Sequence, residues 1–454
     1  MFATDRRINS QLRQTGAASL IVVMVLFFIM SMVAAYTSRN LIFEQRTSTN
    51  QYRSTQALEA ADAGLEWALS MLNAGRVNDS CVPTAVDSNA TFKTFRQRYL
   101  VVDSSTGNIT FTPVSGGGSA QARCVFDGTA ANRDDWKWSC SCPQTNTTNT
   151  FISSPSDSSF IVVMRRTGTL TARTDLFYLQ SNSCTALNNN CLNFNVDRGG
   201  TGDGVASVRT IVALRGALTR VPVAPLNLGG TLRPLPSGVV LTLINADTTA
   251  NGITLHSGGA NNAGTNLVLS GLPGTPAAST AITGDSALTP VAESGFTAAD
   301  RKFAGYFGMP PLTYQGQPAM VRVDCSSGCQ ASSMLVDALL RNPGRPIWVT
   351  GAGTLNLDVS IGSISAPALL IVDGDITFGS GVAFTGLIYG RKASWNWTAS
   401  GTGPTIRGAA IAEGDLQFVG AANSTVQYDA AVLRTLRVSY GSFVRVPGSW
   451  QDFQ

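Results

Sequence analysis

The uncharged stretch AASLIVVMVLFFIMSMVAAY, from Ala17 to Tyr36, constrains this chain more than any other feature. As a helix rising ~1.5 Å per residue it just crosses the ~30 Å hydrocarbon layer of a membrane. A secretory signal has a shorter apolar region, ~7–15 residues, followed by a small-residue cleavage site and unrelated mature sequence. Here neither glycine nor proline follows until Gly64, and Leu58, Ala61, Leu65, Ala68, Leu69 and Leu72 recur at the spacing of one helical face. The membrane run and an amphipathic half therefore read as one helix on the order of 80 Å long. Asn73, Ala74 and Gly75 supply its stop. Arg6, Arg7 and Arg13 outnumber Asp5 ahead of the run, so residues 1–16 form a basic leader expected to stay cytoplasmic, with everything after Tyr36 exported.

Charged residues make up 13% of the 454, with a net charge of +4, which is too dispersed for a nucleic-acid surface. The glycines and the many Ser, Thr and Asn residues suggest short strands joined by turns. All eight cysteines, Cys81, Cys124, Cys140, Cys142, Cys184, Cys191, Cys325 and Cys329, lie beyond the membrane run. Confined to the exported part, they favour disulfides. Cys184 with Cys191 and Cys325 with Cys329 are the first pairs expected, because each closes a small loop. Zinc is a weak alternative: the only histidine is His256, and Cys140-Ser-Cys142 lacks the usual two-residue gap.

The basic leader, Gly16-Ala17-Ala18, the apolar helix and QALEAADAGLEWAL from Gln56 to Leu69 together resemble the X-type (PilX-like) minor pilins of type IV pili. The resemblance implies cleavage by a prepilin peptidase after Gly16, leaving Ala17 as the mature N-terminus. It also singles out Ile21, Glu44 and Asp62 on the helix. Asp62 stands where the family usually has glutamate, and Ile21 where major pilins carry a glutamate five residues into the mature chain. Both X-type pilins and K-type pseudopilins of type II secretion tend to lack that glutamate. The implied partners are other minor pilins and the major pilin through the helix, the peptidase, the inner membrane and a pilus-tip adhesin. The implied destination is the inner membrane with the body periplasmic, then the pilus, with a role in assembly and cell adhesion.

The fold class expected is α+β: the helix over 17–75, a β-rich pilin-like head over 76–230, and a parallel β-solenoid over 231–454. Pro222 to Pro236 reads as a linker between the last two. WVTG, LLIV, LIYG, AAIA and AAVL begin at Trp348, Leu369, Leu387, Ala409 and Ala430, steps of 21, 18, 22 and 21 residues. Such steps suit solenoid coils that bury apolar side chains by stacking on their neighbours. Strands starting at Val239 and Asn266 extend the stack, interrupted by a helical insertion over 297–345. There Thr297 and Asp300 form a capping box, and Ser333 is expected to cap a second helix.

β-Solenoids also serve as polysaccharide lyases and hydrolases, so an anchored carbohydrate-active enzyme is weighed against the pilin and the pseudopilin. Asp373 and Asp375 are the candidate acid pair or Ca²⁺ ligands, with a turn between coils as the favoured reading. His256 has no acid partner nearby in sequence and reads as a strand histidine. No cofactor motif is found, and the expectation is a structural protein without catalytic residues.

Overall fold

A computed structural model of the chain describes residues 15–84, 92–112, 122–128, 130–142, 158–166, 170–185, 204–289, 292 and 295–452. With no breaker to interrupt it, one helix runs from Thr15 to Leu72. Its 58 residues span about 87 Å. The first half stands clear of the rest of the protein. The last turns press Ala57, Ala61, Gly64, Leu65, Ala68 and Leu72 against an antiparallel sheet. This stripe is rotated slightly from the expected one: Leu58 is exposed and Ala57 takes its place. Small residues let the helix axis approach closely, and a Cβ at Gly64 would collide with Ser181 Oγ and the Phe160 ring.

The sheet has the order Gly441–Arg445, Val205–Gly216, Leu176–Cys184, Ser159–Arg165, Ala122–Asp127, Lys137–Ser141. Its first strand is the last strand of the chain, inside the range expected for the solenoid. Gly441–Arg445 returns to pair antiparallel with residues 212–216, Phe443 opposite Leu214. The side chain of Asn73, expected only as a helix stop, fixes this return. Its Nδ2 donates to Phe443 O and its Oδ1 accepts from Phe443 N, both at 2.8 Å and both buried. The amide imitates one more strand pairing.

Beyond the head, short strands stack in parallel into two facing sheets. The longer order is Leu267–Ser270, Leu241–Ile244, Ser424–Tyr428, Thr405–Ala412, Ala383–Gly390, Ala368–Val372, Ile347–Thr350, Val321–Asp324. The facing sheet runs Cys329–Gln330, Leu355–Leu357, Ile376–Phe378, Ser394–Ala399, Asp415–Gly420. Leu387 pairs with Leu369 and Ala409 with Leu387, at the spacings read from the sequence, whereas Trp348 pairs with Ile371, two residues past Leu369. Aromatic side chains stack across the interior, with Trp397 4.7 Å from Phe378 and 5.3 Å from Phe418.

Four expectations along this stretch are corrected. AAVL at Ala430 is not a strand: Asp429 accepts from the Ala431 and Val432 N–H groups and starts the helix Ala430–Val438. Its place beside Ala410–Ala412 is filled by Leu226–Leu228, from the segment expected to be a linker. The segment 297–345 does not interrupt neighbouring coils either. It carries the chain from one end of the stack, Leu267–Ser270, to the other, where it contributes Val321–Asp324 itself. Its first helix, Ala298–Phe307, has the capping box expected, with both Thr297–Asp300 bonds at 3.0 Å. Ser333 caps nothing; it lies within a π-helical turn, Ala331–Leu335, that leads into Val336–Arg341.

Replacing Asn73 with Ala strands two buried backbone groups of Phe443, at a cost of about 1–3 kcal/mol. Urea unfolding of Asn73→Ala should show a lower midpoint with an unchanged slope. An unchanged midpoint would mean that the amide does not hold the returning strand.

Candidate assembly interface

From Ala18 to Gln51 every helix residue is exposed, among them Leu20, Phe27, Phe28, Tyr36 and Phe43. The helix is long and apolar enough to cross a membrane, and its apolar stretch makes no contact with the head. Hydroxyls inside it are satisfied within the helix: Ser31 Oγ donates to Phe27 O at 2.8 Å and Thr37 Oγ1 to Val33 O at 2.9 Å. Such bonds remove the need for water and suit the helix to lipid or to the faces of other helices.

Gly16 and Ala17 lie in the helical backbone, and residues 1–14 of the expected leader lie outside the described residues. Ile21 is 62% exposed in the apolar stretch. Glu44 is exposed below it, between Arg39 and Arg46. Asp62 sits where the helix meets the head, and its Oδ1 accepts from Trp450 Nε1 at 3.3 Å. One turn on, Glu66 pairs with Arg445 at 2.5 Å. The C-terminal segment thus straps across the same face of the helix that Asn73 ends, a role no motif in the sequence signalled.

Disulfides join Cys81 to Cys142, Cys124 to Cys140 and Cys325 to Cys329. Cys140 and Cys142 therefore serve two different bridges. Cys184 is also bridged, but Cys191 lies outside the described residues.

Asp373 and Asp375 occupy a bend between two strands and point to different partners. Asp375 pairs with Lys392 Nζ at 2.7 Å and accepts from Asn396 N at 3.0 Å. Asp373 lies 3.6 Å from Arg391, and burial raises its pKa. Arg391 is the hub of a polar cluster under the helix Ala298–Phe307: it also reaches Glu413 at 3.0 Å and Asp300 at 3.9 Å, and lies over the Trp348 ring. Lys302, almost fully buried, donates to Ala412 O at 2.6 Å. His256 does have an acid partner, contributed 29 residues later: its Nε2 is 2.6 Å from Asp285 Oδ2. Strand stacking brings the two together, which sequence proximity could not reveal. Among the described residues no group of three or more His, Cys, Asp or Glu side chains is placed to hold a metal ion.

Residues 15–66 match the family model described as PilX N-terminal. Over those residues the exposed helix is thus a PilX-type N-terminal segment. Among solved structures the chain is similar to the crystal structure of the competence-associated pilin ComZ from Thermus thermophilus, at 13% identity over 88% of this chain and 98% of that one, with a TM-score of 0.20. No curated protein matches the chain.

Burial pushes the Glu413 carboxyl up to about 7, with Arg391 opposing, and pulls the Lys302 ammonium down to about 7, with Glu413 opposing. A raised carboxyl keeps its proton in the folded chain after the unfolded chain has lost it. Glu413 therefore favours folding below its ordinary value of 4.5, and that contribution is lost as pH rises to about 7. Lys302 acts with the opposite slope, but only between about 7 and 10.5. Thermal melting between pH 4.5 and 7 should show the native protein losing stability relative to Glu413→Gln as pH rises. Parallel curves across that window would rule out a buried protonated Glu413.

Proposed function

We propose that this chain is a minor pilin that takes part in type IV pilus assembly, in a tip or initiation complex. The observation that carries this reading is an apolar helix, exposed over its first half, with Ile21 at the fifth position counted from Ala17. In this reading a prepilin peptidase removes the leader after Gly16. The helix then leaves the inner membrane, which it crosses once with the body periplasmic, and packs against the helices of other minor pilins and the major pilin. A tip adhesin is the partner proposed for the exported body.

Ile21 gives the subunit a direction in the filament. A fifth-position glutamate on an incoming subunit offsets the charge of the amine at the N-terminus of the subunit already in place. An acid alone at mid-membrane costs about 2.5–3.5 kcal/mol. A subunit with Ile21 offers no carboxylate to an earlier neighbour, yet its Ala17 amine can receive the carboxylate of the next one. Such a subunit is suited to go first. In this reading the role is structural rather than enzymatic, and the pairing of Asp373 with Arg391 and of Asp375 with Lys392 supports it.

Processing supplies the first test: mature protein should begin at Ala17, and Gly16→Arg should block cleavage. Protein starting at Met1 in assembled pili defeats the proposal. Position supplies the second: deletion should lower pilus number more than pilus length, and immunogold should label filament ends. Even labelling along the filament, or normal piliation in the deletion strain, contradicts a starting role.

A further inference from the structure

Three arginines crowd the joint between head and solenoid, and each is held by neutral groups. Arg76 Nε donates to Leu340 O at 2.6 Å, and Arg345 Nε to Ala319 O at 2.8 Å. Arg96, 7% exposed, donates from Nη2 to Pro343 O at 2.6 Å and from Nη1 to Gly441 O at 3.4 Å. Among the described residues no carboxylate lies within ion-pair distance of Arg96 or Arg345. Their surroundings agree: burial lowers both to about 10, and the charge of Arg96 adds to the effect on Arg345. Uncompensated buried charge is costly, and charge-assisted bonds to an oxyanion are among the strongest that relieve it.

Arg96 also lines an open cavity of ≈ 250 Å³ together with Gln97, Ser104, Gly344, Ser365 and Ser439. Of five N–H groups on a guanidinium, these two bonds use two, so donor capacity remains at the cavity wall that Arg96 lines. The Gln97 amide nitrogen and the Ser104 hydroxyl supply further donors. The Ser439 hydroxyl, also in the lining, donates to Thr435 O at 2.7 Å. Asp103, the acid nearest to the lining in sequence, is bonded to Ser105 N at 2.9 Å and Thr106 N at 2.7 Å. Gly344, at φ +74°, packs against the guanidinium, so a Cβ there would meet Arg96 Nη2.

We propose that this cavity binds a small oxyanion, a phosphate, sulfate or carboxylate group, with Arg96 as its main ligand. Because Arg96 touches the solenoid at Pro343 and the returning strand at Gly441, a bound oxyanion stiffens the joint between the two bodies.

The test is isothermal titration of the full chain in detergent with sodium phosphate, sulfate or acetate, at ionic strength held constant with chloride. Saturable one-to-one binding and a raised melting temperature are expected with at least one of these. Phosphate or sulfate without acetate identifies a tetrahedral ligand, and acetate alone identifies a carboxylate. Arg96→Gln should weaken binding about tenfold or more. Ser104→Asp, at an exposed position, places a carboxylate at the mouth and should abolish binding even if Arg96→Gln fails to fold. Absence of saturable binding with all three anions overturns the proposal, as does binding that Ser104→Asp leaves unchanged.

Discussion

The two hydrogen bonds between the Asn73 amide and the Phe443 backbone hold together parts of the chain that are 370 residues apart. Without them Gly441–Arg445 keeps its ladder to residues 212–216, but the Phe443 N–H and C=O on its outer edge are left open. With them, the end of the helix, the edge of the sheet and the end of the solenoid meet at one buried point. Arg445 with Glu66 and Trp450 with Asp62 continue the same seam along the helix. Those exposed pairs contribute little each, so at this seam the buried amide contributes most.

The helix divides into two halves that meet different needs. Over its last turns the contact face mixes Leu65 and Leu72 with alanines and Gly64, and the small residues let the axis sit close to Phe160 and Ser181. Over the first half the side chains are large and apolar, and nothing in the protein covers them. A monomeric soluble protein rarely leaves so much apolar surface open. Covering it falls to lipid before assembly, and to the helices of neighbouring subunits afterwards in the filament we propose.

The helix was legible in the sequence because its signal is local: uncharged length, no breaker, then a 3.6-residue stripe. The central coils of the solenoid were legible for a related reason, since strands such as Ala368–Val372 are buried on both faces and read as continuous apolar runs. What failed was the pairing at the ends. Ala430 begins an apolar run at the correct spacing, but Asp429 just before it is a helix cap, and a local cap outweighed a degenerate period. Leu226–Leu228 was hidden among prolines, although the prolines flank the strand rather than interrupt it. Of the site residues, Asp62 was placed by the family motif alone. Its partner Trp450, like Asp285 for His256, comes from far along the chain, where no sequence spacing could point to it.

The stacking order has a consequence for how the body forms. Ser424–Tyr428 lies against Leu241–Ile244, so the last coil made closes onto the first, and Leu226–Leu228 waits for Thr405–Ala412. Contacts this distant in sequence are paid for in loop-closure entropy before they return stability, which makes the closure late and cooperative. Only after it can Gly441–Arg445 reach the head sheet and meet Asn73. The surface that supports the long helix is therefore expected to be completed late, once the solenoid has closed. A chain truncated or stalled in the solenoid cannot present a completed head beneath its helix, so the seam at Asn73 couples a finished body to a helix properly seated for packing against others.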